Sequence, residues 1–98
     1  MIHVVLCDES GNSIGDGIDV EPSVFVAAVD DRFCCLRFVD PYGDAVFNRL
    51  QLPLLSDELR LLKTLCQDEK SRIQIEQIER LVHRCRQEIH TYLKFIGD

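Results

Sequence analysis

The sequence predicts an α+β domain: an antiparallel sheet with two α-helices packed on one face. Three observations carry this. The first fifty residues hold short β-prone runs broken by Gly, Pro, Asp and Asn, residues 52–89 switch to a helical apolar period, and residues 91–96 return to alternation. Ninety-eight residues make a single domain over 1–98, because two hydrophobic cores would not fit.

Residues 1–7 alternate Ile2, Val4 and Leu6 against His3, Val5 and Cys7, as a strand with a buried face does. The polar run 8–12 turns the chain, and residues 13–16 form a short return strand that closes an N-terminal hairpin. Residues 15–22 read as an irregular connection. The run 23–29 is continuously apolar and has no usable period. Its three valines favour a strand, whereas Pro22 and Ala27-Ala28 favour a short buried helix; Asp30 and Asp31 at its end oppose a helix dipole and tip the reading to the strand. Residues 33–50 read as a hairpin about Asp40-Pro41-Tyr42-Gly43-Asp44, where Pro41 presets φ and Gly43 permits a positive one. With the strand at 24–29, the stretch 24–50 becomes a central three-stranded meander.

From Leu52 the grammar is helical. Pro53 ends the last meander strand, Ser56 is the expected N-cap, and Asp57 and Glu58 supply first-turn negative charge. Leu55, Leu59, Leu62 and Cys66 form the apolar stripe of a helix running to about residue 67. After a polar link at 68–70, Ser71-Arg72-Ile73-Gln74 has the form of a capping box, and Ile75, Ile78, Val82, Cys85 and Ile89 mark a second stripe. Residues 91–96 are β-branched, aromatic and alternating, a last strand re-entering the sheet; a helix continuing through Ile96 is the competing reading.

A hydrophobic fraction of 46% with 29% charged residues excludes a disordered chain. No apolar run approaches the roughly 18–20 residues of a membrane span, and the start lacks the basic region of a signal peptide, so the expected location is the cytoplasm. The five cysteines are odd in number and sit in or beside apolar runs, unlike a secreted disulfide framework. His83, Cys85 and His90 do not share one helical face, so no zinc site is expected.

The net charge of −6 is unevenly spread. Residues 1–50 hold nine acids against Arg32, Arg37 and Arg49, whereas residues 51–98 balance eight against eight. A field of that sign repels nucleic acid and anionic membrane and attracts basic proteins. Oxygen-bearing residues from Asp8 to Asp19 fall at several ligand positions of a calcium loop, but Ser13 stands where the required glycine belongs and the flanks are strands, so a polar hairpin loop explains them. Asp40 and Asp44 are residues a turn uses for its own backbone, with no nucleophile or base fixed beside them.

The expected function is therefore non-catalytic protein binding without a cofactor. Acidic loops dock a basic partner, with Asp30, Asp31, Asp40, Asp44, Asp8 and Glu9 steering it and Tyr42 as an apolar anchor. One concrete form is an immunity-type inhibitor that occludes a basic toxin. Two other classes stay open: a small divalent-metal-dependent enzyme or ligand-binding protein using the 8–19 or 40–44 stretch, and a homodimeric structural or adaptor subunit pairing through a sheet edge formed by residues 91–96.

Overall fold

Ile2, Val4 and Leu6 join the hydrophobic core while His3, Val5 and Cys7 turn to the other side of the first strand, and this parity sets the sheet. In the computed structural model, which describes residues 1–97, the strands are β1 (Ile2–Cys7), β2 (Ser13–Val20), β3 (Asp44–Phe47) and β4 (Tyr92–Ile96). They form one antiparallel sheet in the order β2-β1-β4-β3. Helices α1 (Leu52–Leu65) and α2 (Glu69–Gln87) cover the face carrying Val4, Leu6, Leu93 and Phe95. This is the predicted α+β architecture with its N-terminal hairpin and C-terminal strand. Among the described residues no helix is long and apolar enough to cross a membrane.

The central meander is absent. Residues 23–29 follow the helical alternative: Pro22–Phe25 is a 3-10 turn with the proline in its first positions, and Val24, Phe25 and Ala28 are buried while Val26 and Val29 are exposed, a spacing no strand gives. Residues 33–39 also leave the sheet. Leu36–Phe38 is a second 3-10 turn, and Phe33, Cys35 and Leu36 are buried without alternation. Of the predicted hairpin only β3 is a strand, and it pairs with β4, with Phe47 opposite Leu93 and Ala45 opposite Phe95.

Boundaries move for local reasons. Pro53 opens α1 instead of ending a strand, because its missing N–H is one that a first helical turn leaves unpaired. The chain enters that helix through Asn48, whose Oδ1 accepts from the N–H groups of Leu50 and Gln51, so Ser56 lies inside the helix. Asp68, not Ser71, caps α2, and half-buried Gln74 reaches across to accept from the Glu21 N–H at 3.0 Å. β2 continues to Val20, with a register irregularity between Val4 and Leu6 absorbing the glycine-rich middle. Ile89 falls beyond α2, in the exposed turn before β4. Phe95 takes edge-to-face contacts from Phe47 at 5.5 Å and Phe25 at 6.0 Å, which ties strand, edge and turn into one core.

The Asp68 cap gives a pH prediction. Its carboxylate accepts the Ser71 N–H at 2.9 Å, and that bond holds its carboxyl below the ordinary carboxylate range. Its contribution is therefore fully present above about pH 4 and is lost as the pH falls through the lower folded-state value. Asp68→Asn keeps an acceptor without the charge, so melting temperature should fall less steeply below pH 4 (about the ordinary carboxylate value) than in the wild type. Parallel acid limbs would reject the assignment.

Candidate functional site

A long connection runs from the end of the first 3-10 turn to β3, residues 26–43, with the second 3-10 turn inside it. A connection of that length in a small domain needs anchors, because its backbone polar groups have no ladder to join. One anchor is apolar: Phe33, Cys35 and Leu36 are sunk in the core. The other is Glu58, which points inward from α1 and is only 2% exposed. Its Oε2 accepts from the N–H of Cys34 at 2.9 Å and of Cys35 at 3.0 Å, and its Oε1 from Cys35 at 3.0 Å and Leu36 at 2.9 Å. Three consecutive amides thus enclose a carboxylate that burial would otherwise penalise.

So fixed, the connection presents a mixed surface. Val26, Val29 and Phe38 are large apolar groups exposed at 70%, 77% and 63%. Between them Asp30 holds Arg32 in a two-pronged ion pair, at 2.8 Å to the nearer oxygen, which keeps the Asp30 carboxyl below its usual range. The Arg37 guanidinium stands 5.2 Å over the Phe38 ring. The buried Cys35 thiol is pushed up to about 11, first by burial and then by the Glu58 charge, and Cys85 likewise by burial, so both are thiols rather than thiolates near neutrality.

The sequence-derived residues occupy three places. Asp30 and Asp31 lie in the first half of this connection, before Phe33 enters the core. Asp40, Tyr42 and Asp44 form the turn into β3, where Asp40 Oδ1 accepts the Tyr42 N–H and Asp44 stands loosely 3.9 Å from Lys94. Asp8 and Glu9 sit at the opposite end of the sheet: Asp44 pairs with Ile96, whereas Cys7 pairs with Tyr92, four residues or about 13 Å along β4. There Asp8 accepts the N–H groups of Ser10 and Asn12, and Glu9 pairs with His90. The seven residues therefore form no single patch. The Asp8 to Asp19 stretch is not a loop either, since β2 spreads its later oxygens along an extended strand and Asp19 binds His3 at 2.8 Å. Among the described residues, no three His, Cys, Asp or Glu side chains gather where they could hold one metal ion.

Comparison with protein-family models, with curated proteins and with solved structures returns no match. The assignment of function accordingly rests on the surface itself. Sequence reasoning missed Glu58 and Phe38. Glu58 left a signal: it lies three residues after Leu55 and four before Leu62, a carboxylate inside an apolar stripe. Phe38 left none, because its exposure depends on a turn that its own pattern does not encode.

Proposed function

We propose that this chain is a non-catalytic protein-binding domain that docks a basic partner through the exposed part of the 26–38 connection. The observation carrying the reading is the pairing of exposed Val26, Val29 and Phe38 with a base pinned by Glu58. Apolar anchors on a pre-ordered loop lose little entropy on binding and can supply most of the affinity. The net charge of −6 steers a basic surface toward it, with Asp30 and Asp31 adjoining the anchors. Five free cysteines suit a reducing compartment, and we place the protein in the cytoplasm on that ground. An immunity-type inhibitor, acting by occlusion of a toxin, is the concrete form of this function.

The test is titration calorimetry against the product of the adjacent gene at low and high salt. Phe38→Ala should weaken binding by about tenfold to a hundredfold, and the Asp30→Asn/Asp31→Asn pair should reduce the salt dependence. Absence of binding, or affinity indifferent to salt and to both variants, overturns the proposal.

A further inference from the structure

The last strand is interior, between β1 and β3, so residues 91–96 offer no edge; the free edges are β2 and β3. They are unlike. β2 carries a register irregularity, positive φ at Gly15 and Gly17, and the charges of Asp16 and Asp19, all features that discourage strand addition. β3 is a plain run, Asp44-Ala45-Val46-Phe47, with Val46 51% exposed. The Gly97 N–H donates to the Gly43 carbonyl at 2.8 Å, so Gly43 faces β4. By alternation, Asp44 and Val46 aim their N–H and C=O groups at the free edge.

We infer that this edge pairs with β3 of a second copy of the chain, antiparallel about a two-fold axis at Val46, to join two sheets into one of eight strands. An axis perpendicular to the sheet preserves its faces, so only residues of equal parity can stand opposite one another. Centring on Val46 meets that rule and the hydrogen-bond phase together. On the core face Ala45 then meets Phe47 of the second copy, and on the open face Val46 meets Val46, while Asp44 meets Asn48 instead of its own negative copy.

Charge favours the same register. Asp40 and Asp44 lie at one end of β3 and Arg49, which makes no ion pair among the described residues, lies just past the other. Antiparallel pairing brings acid to base twice. Tyr42 and Leu50, exposed at 84% and 88%, flank the two ends, and the axis carries each Tyr42 toward Leu50 of the other copy. A hollow of about 290 Å³ lined by Leu50, Ile89, His90 and Tyr92 opens there. A four-residue ladder by itself falls short of the roughly 1,200 Å² of a stable interface, so the two seated tyrosines, each able to bury about 150–250 Å², bring it into the range of a weak dimer.

The experiment is sedimentation equilibrium of the purified chain from about 5 to about 500 μM, a range that brackets weak association. The expected result is a monomer–dimer equilibrium whose Kd rises about tenfold or more in Val46→Lys and in Arg49→Asp. The double variant Asp44→Arg/Arg49→Asp should restore it, and amide exchange at Val46 should slow as concentration rises, whereas Asp44 gains no such protection because the Asn48 carbonyl opposite it already accepts from Gln51 and Leu52. Val46 is half exposed in the monomer, so the lysine variant keeps its fold. A monomer mass throughout, or a dimer indifferent to Val46→Lys and Arg49→Asp, overturns the inference. Phe38→Ala should leave the mass unchanged, which separates this interface from the docking loop.

Discussion

Replacing Glu58 by alanine should cost about 3–5 kcal/mol, because three amide donors, two of them buried, lose their acceptor at once. Each buried donor left unpaired costs about 1–3 kcal/mol, and water readmitted near the exposed side of Cys34 recovers part of the sum. Glu58→Gln keeps one oxygen able to accept, so a loss of about 1–2 kcal/mol is expected there. Urea denaturation monitored by circular dichroism measures both. A loss below about 1 kcal/mol in the alanine variant would mean that the amides are readily rehydrated and that Glu58 does not hold the connection.

Two nearly equal free energies decide which part of the molecule opens first. Letting the connection go exposes Phe33 and Leu36, at about 1.5–3 kcal/mol each, a sum close to the penalty for the missing acceptor. The two nearly balance, so 26–38 should open locally before the domain unfolds. Amide exchange at residues 34–36 should then accelerate far more than exchange in β1 or β4. If the proposed docking to a basic partner holds, the same variant should lose that affinity even at temperatures where the domain is folded, since the proposed anchors Val29 and Phe38 are no longer pre-ordered.

What the sequence disclosed follows from the range of the interactions involved. The stripes of α1 and α2 and the alternation of β1 and β4 are patterns among near neighbours, and they appear at the expected places except for the stripes' last members, Cys66 and Ile89, which lie beyond the helix ends. Residues 33–39 are as rich in apolar and β-prone types as a strand, yet the amides of Cys34, Cys35 and Leu36 bond to a carboxylate more than twenty positions away, and no local pattern encodes that choice. Pro53 shows the same ambiguity at one position: it ends a strand or begins a helix depending on whether Asn48 turns the chain first. The acids were visible as residues, but their grouping was not. Antiparallel register alone puts Asp8 and Asp44 at opposite ends, and the insertion of β4 between β1 and β3 is a matter of topology that moves the free edge from residues 91–96 to β3.

Gly17→Ala should destabilise the domain by about 2–4 kcal/mol, whereas Gly11→Ala should cost only about 1 kcal/mol, although both glycines have positive φ. The difference is steric. At Gly11, with φ of +86°, an added methyl group meets nothing within 4 Å, so the substitution carries only the conformational penalty of an L-residue in the left-handed region. At Gly17, with φ of +69°, the same methyl would lie 2.6 Å from the Val4 carbonyl oxygen and 2.9 Å from both the Val5 Cβ and the His3 Nε2. The imidazole can swing away, but the Val4 carbonyl belongs to the central strand β1 and the Val5 side chain is fully buried. Relief therefore requires β2 to peel from β1, at the expense of ladder hydrogen bonds on the Val4 side of the register irregularity. Thermal denaturation of the two variants side by side measures the steric part as their difference. Equal losses would show that β2 shifts freely at this point, and the contrast between a guarded β2 edge and an open β3 edge would lose one of its supports.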